Sequence, residues 1–194
     1  MDFFMIIGPQ AVGKMTVGQQ IEKMTGAKLF HNHMTIDLVS KFFDYSSREG
    51  KQLVQDYRKL LFRAVGTCED YPGFIFTFLC DFETPDGLPY IYNTCSYFEK
   101  MGHTAYIVEL NADVETRKKR NVTENRRLYK ESKRNLEIAQ KHFEQFEKNG
   151  RAQSYQGEIS WPRLIIQIYL QMRQRRQFFQ RSTFLRRSSL NIVM

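Results

Sequence analysis

The stretch GPQAVGKMT, Gly8 to Thr16, places two glycines five positions apart with a lysine directly after the second. That spacing suits the binding of phosphate oxygens. Gly8 and Gly13 let the backbone wrap and turn its N–H groups inward without a Cβ in the way, and Lys14 adds a point charge. Such loops usually continue with Ser or Thr, whose hydroxyl ligates Mg²⁺. Here Met15 follows, and a thioether is a poor ligand for a hard cation. The nearest hydroxyl is one residue further on, at Thr16.

A loop of this kind works only between a strand and a helix, because the helix N-terminus must point at the anion. FFMII, Phe3 to Ile7, is a short aromatic and β-branched run that reads as a buried strand. After the loop, Val17, Ile21 and Met24 fall at near-helical spacing and Gly26 is a stop signal. Further strands are predicted at Ala27 to Phe30, Phe74 to Cys80 and Thr104 to Asn111, with helical periodicity between them. Strands separated by helices imply an α/β fold with a parallel sheet, whose ligands sit at the carboxyl ends of the strands. Asp81 ends the Phe74 run and is a candidate to hold Mg²⁺ opposite the loop, with Glu83 as the alternative.

Together these features resemble the P-loop small-molecule kinases around shikimate kinase and adenylate kinase, over about residues 1 to 158. The likeness is most specific in the first 45 residues and in ADVETRKKRNVTENR. It implies a three-layer α/β/α kinase fold, ATP and Mg²⁺ as cofactors, and an arginine-rich lid at about 117–150. Adenylate kinase relatives carry Gly-Lys-Gly-Thr at the loop, so Thr16 is expected to contact phosphates while Mg²⁺ is held mainly through water. Arg117, Arg120, Arg126 and Arg127 occupy the lid segment; Arg120 and Arg126 are the favoured partners of the moving phosphoryl group. His31, His33 and Asp37 stand where shikimate kinase has its acidic substrate-binding pair. The histidines suit a hydroxyl or a phosphate, or are loop residues without a role. Asp37 is a base for the attacking hydroxyl or only a first-turn helix residue. Arg58 resembles the arginine of a substrate-facing Phe-Arg-x-x-Glu motif, with Tyr57 and Leu61 in place of Phe and Glu. The glycine triplet of shikimate kinase is absent, which argues against shikimate itself.

The chain has 194 residues, 42% of them apolar, which suits one α/β domain. No run approaches the roughly 20 apolar residues of a membrane helix, and the expected setting is the cytoplasm. Cys68, Cys80 and Cys95 lack metal or redox spacing and read as free thiols. From Ile159 onward there is no Asp, Glu or Lys, but there are seven Arg and five Gln. Those seven arginines account for most of the formal +8 charge. The division expected is a kinase-like domain at 1–161 and an anomalous basic tail at 162–194, with the last strand of the fold lost. Codons can be chosen for Pro162 to Gln174 whose shifted frame reads KIDNTNLSADEA, which resembles the strand end, turn and capped helix start of this kinase group. The tail is therefore read as frameshifted, or else as a basic arm for nucleic acid or a membrane surface.

The function expected is transfer of the γ-phosphate of ATP to a small hydroxylated or phosphorylated metabolite by a monomer or homodimer, without membrane or nucleic-acid partners. The competing readings are a non-catalytic nucleotide-binding switch, and a nucleic-acid binder acting through the tail.

Overall fold

The computed structural model describes residues 1–79, 82, 84–124, 128 and 135–148, together with the backbone of 165–169. In chain order the elements are β1 (Asp2–Ile7), α1 (Lys14–Thr25), β2 (Lys28–His31), α2 (His33–Val39), α3 (Arg48–Gly66), β3 (Phe74–Thr77), α4 (Gly87–Lys100), β4 (Thr104–Asn111), α5 (Val114–Asn121), α6 (Leu136–Lys148) and β5 (Ile165–Tyr169). The strands form one parallel sheet in the order β2-β3-β1-β4-β5.

Both faces of this sheet are covered, which is why its strands read as nearly continuous apolar runs. One core cluster joins Phe3, Met5 and Ile7 of β1 to Phe62 and Val65 of α3 and to Ile91, Cys95 and Phe98 of α4. A second joins Ile6, Val108 and Leu110 to Val12 and to Val17 of α1, and a third, smaller one joins Ile36 and Val39 of α2 to Val54 of α3. Alternation along β1 thus feeds two layers of helix, giving the three-layer α/β/α architecture. Aromatic packing dominates the first cluster: the Phe3 and Phe98 rings stack at 4.0 Å, and Phe62 meets Phe76 edge-on at 5.1 Å. Each phenylalanine buried there contributes about 2–3 kcal/mol of apolar transfer.

Two expectations are corrected. The strand predicted to reach Cys80 ends at Thr77. The Phe78 N–H still donates to the Ile6 carbonyl at 2.9 Å before the chain leaves the sheet. The last strand is also not lost, since Ile165–Tyr169 pairs in parallel with β4 from Ile107 to Asn111. The basic composition of the tail concealed a local run, Ile165, Ile166, Ile168 and Tyr169, of the β-branched and aromatic type that suits the open edge of β4. The rest of the tail lies outside the described residues. Among the described residues, no helix is long and apolar enough to cross a membrane.

Candidate functional site

The sheet order turns at β1. The chain leaves β1 through α1 toward β2 on one side and reaches β4 on the other, so the crevice beyond β1 is where a doubly wound sheet binds its ligand. The glycine loop lies there. Gly8 has φ +136°, and a Cβ on it would overlap the carbonyl oxygen of Leu110 at the end of β4 and press on Val12. Gly13, at φ +118°, caps α1 and itself contributes no side-chain hydrogen bond to the first N–H groups of that helix. Between them Ala11 takes a left-handed φ of +62°, a conformation costing about 1–2 kcal/mol for a residue with a Cβ. Lys14 Nζ donates to the carbonyls of Gly8 at 2.6 Å and Pro9 at 2.7 Å, which lays the ammonium along the loop. Met15 is buried and Thr16 half-buried.

Helix α5 supplies the next layer. Asp113 caps it, accepting from the Thr116 N–H and hydroxyl at 2.7 Å each, and the backbone bond first holds its carboxyl below the usual carboxylate range. Arg120 donates through Nη1 to the Val12 carbonyl at 2.7 Å and so reaches the loop itself. Arg117 does something different. It is buried, forms a bidentate pair with Glu147 of α6 at 2.6 and 2.8 Å, donates to Ala112 and lies over the Phe143 ring at 5.6 Å. That side chain clamps α6 to α5. Arg126, Arg127, Asp81 and Glu83 lie outside the described residues.

A second polar cluster stands at the carboxyl end of β2 and β3. The Asn32 N–H donates to Thr77 Oγ1 at 3.3 Å, joining the two strand ends. Arg58 comes from α3, on the buried stripe that includes Val54 and Phe62. Its Nε donates to Thr35 Oγ1 at 3.2 Å, its Nη2 donates to the Asn32 carbonyl at 3.3 Å and closely to Asn32 Oδ1, and the guanidinium lies over the Phe76 ring. Among the described residues no carboxylate pairs with it. Tyr90 of α4 stacks on Phe78 at 4.6 Å, and its buried hydroxyl lies close to Arg58 and Thr94. Burial raises the Tyr90 hydroxyl above the usual phenol value, and the nearby Arg58 charge opposes the rise. His31 is buried at the end of β2; His33 faces Asp37 one helical turn on, Nδ1 to Oδ1 3.9 Å. Since Ile6 of β1 is in register with Thr77, this cluster and the loop lie one to two strands apart, roughly 5–10 Å.

The structure thus brings Gly8, Gly13, Lys14 and Arg120 to one place, and Arg58 to a neighbouring one with His31, His33 and Asp37 at the edge of β2 and the start of α2. Sequence reasoning missed Gln10, Asn32, Thr35, Tyr90 and Asn121. Arg58, expected from its resemblance to the Phe-Arg-x-x-Glu arginine, carries a second signal, a charge on the Val54, Phe62, Val65 stripe of α3. The others are ordinary polar residues that meet only through the fold.

No protein-family model and no curated protein sequence matches the chain. Solved structures do. A candidate kinase from Chloroflexus aurantiacus superposes with a TM-score of 0.56 at 12% identity, over 87% of this chain and 88% of its own. A gluconokinase from Sinorhizobium meliloti gives 0.50 at 10% identity, over 87% and 82%. A shikimate kinase from Acinetobacter baumannii gives 0.42 at 15% identity, over 80% and 84%, too loose to add to the argument. The fold is that of the P-loop small-molecule kinases.

Proposed function

We propose that the protein is an ATP-dependent phosphotransferase acting on a small metabolite. The observation carrying this reading is the phosphate-loop geometry at the turn of the sheet: left-handed Gly8 and Gly13, an α1 N-terminus capped by a glycine, and Lys14 laid along the loop. A triphosphate fits these residues, since the space a Cβ would fill at Gly8 is needed for the loop to meet β4 and the loop carries lysine but no acid. Bound there with Mg²⁺, ATP supplies an activated γ-phosphoryl group.

Lys14 and the loop amides hold the β- and γ-phosphates, and Thr16 adds a hydroxyl to them. Met15 leaves the metal to be held largely through water, with Asp81 as the protein carboxylate and Glu83 as its alternative. Arg120, already anchored at Val12, and Arg126 neutralise charge on the transferred group. Arg58 takes an anionic group of the acceptor, because a buried guanidinium held by Asn32 and Thr35 and lacking a described carboxylate is short of negative charge. His31 and His33 line the same end, and Asp37 accepts the proton of the attacking hydroxyl. The test is a screen of small hydroxylated carboxylates and phosphorylated metabolites for acceptor-dependent ADP release. Release that no acceptor stimulates, with ATP still bound, would favour a nucleotide-binding switch.

A further inference from the structure

Asn121 ends α5 almost wholly buried, 1% exposed. Its Nδ2 donates to the Ala139 carbonyl of α6 at 3.1 Å and reaches Gln140 Oε1 at 3.5 Å. A backbone carbonyl can only accept, so the amide nitrogen must face α6 and Oδ1 must face the opposite way. On that side it accepts from Gln10 Nε2 at 3.3 Å. Gln10 is the third residue of the phosphate loop and is buried as well, 7% exposed. One amide therefore sets the orientation of the other, and both depend on where α6 sits.

This path has parallel supports. Arg120, the residue before Asn121, holds the loop at Val12, and Arg117 fixes α5 to α6 through Glu147 and Phe143. An apolar residue at 121 would close the same gap without desolvating an amide. What the amide adds is direction, since each of its hydrogen bonds demands a defined partner.

We propose that Asn121 and Gln10 form a positioning pair that couples the conformation of the phosphate loop to helix α6, so that nucleotide at the loop and docking of α6 favour one another. The proposal rests on the phosphate-loop reading above. Both residues act through the loop backbone rather than by touching the reacting atoms. Linkage makes the effect reciprocal: whatever α6 docking adds to nucleotide affinity, nucleotide adds to α6 docking.

The full chain, with ATP as the probe, tests this by calorimetric affinity and by hydrogen exchange across residues 136–148. Asn121→Asp keeps an acceptor for Gln10 but sets a carboxylate oxygen against the Ala139 carbonyl, cutting the link on the α6 side. Gln10→Met keeps the volume and removes the donor, cutting it on the loop side. In the wild type ATP slows exchange in α6. Each variant weakens ATP binding about fivefold to tenfold and loses that ATP-dependent slowing. The double variant binds no more weakly than the worse single one, because both cut the same path. Unchanged affinity in the single variants, multiplied effects in the double, or α6 still slowed by ATP in either variant overturns the pairing. Should Asn121→Asp fail to fold, Gln10→Met decides by the same two readouts. A wild type that does not bind ATP at all overturns the phosphate-loop reading together with the pairing, an outcome distinct from the others.

Discussion

Arg58→Met separates a functional arginine from a structural one. In the folded chain Arg58 is 6% exposed, and the two hydrogen bonds it makes at 3.2 and 3.3 Å are long. With the close contact to Asn32 Oδ1 and the Phe76 ring, its favourable contacts amount to about 4–5 kcal/mol. Against them stands the cost of burying a cation that no described carboxylate compensates, several kcal/mol after relaxation. The two nearly cancel. Methionine follows the same path along the α3 stripe, and Thr35 still donates to the Asn32 carbonyl at 3.3 Å, so few polar atoms are orphaned. The variant is therefore expected to keep its stability within about 1 kcal/mol, whereas breaking a compensated buried pair costs about 3–5 kcal/mol. Phosphorylation of an anionic acceptor should fall at least about 100-fold, the order lost when a buried charged contact to a ligand is removed. Urea denaturation reads the first quantity and acceptor-dependent ADP release the second. A loss above about 2.5 kcal/mol with kcat/KM retained would show that Arg58 serves the fold and would refute the reasoning.

Gly8→Ala is expected to cost about 3 kcal/mol and nucleotide binding, because left-handed strain is joined by overlap with the Leu110 carbonyl. Gly26→Ala, at φ +78° with open space around it, should cost only about 1 kcal/mol, and equal denaturation midpoints for the two would contradict the close-approach argument. The Cys95 thiol is pushed up to about 12 by burial, with the charge of Glu99 adding to the rise. At pH 8 a thiol reagent should therefore label exposed Cys68 and spare Cys95, and rapid native labelling of Cys95 on peptide mapping would count against that burial. For the tail, the frameshift reading requires the fifth strand to be lost, and the parallel strand that Ile165–Tyr169 forms as written counts against it; coding DNA across residues 162–174 that cannot give KIDNTNLSADEA rules it out.

Much of the fold was legible because its signals are local. FFMII and TAYIVELN are apolar in a way that strands buried on both faces must be, and β1 and β4 lie where those runs are. The glycine loop between β1 and α1 was legible for the same reason, since strand, glycines, lysine and helix follow one another within the chain. The polar cluster at the ends of β2 and β3 was legible only in part, through Arg58 and the segment from His31 to Asp37. Asn32, Thr35 and Tyr90 come from the N-cap of α2, from α2 itself and from α4, and no spacing in the sequence announces that they join Arg58 of α3 at the ends of β2 and β3. The pairing of Gln10 with Asn121, 111 residues apart, is hidden likewise. Strand β5 was obscured by the opposite error, a composition averaged over the whole tail outweighing five residues with strand character.

If a triphosphate binds at Gly8–Thr16 through backbone amides and the Lys14 charge, the lysine carries a measurable share of the affinity. Isothermal titration of ATP into the wild-type chain and into Lys14→Ala, with unfolding curves to confirm that both are folded, tests it directly. Saturable binding is expected in the wild type, weakened by about 10-fold or more in the variant, as for loss of a charge-assisted contact to phosphate. Equal affinity in two equally stable proteins would contradict it.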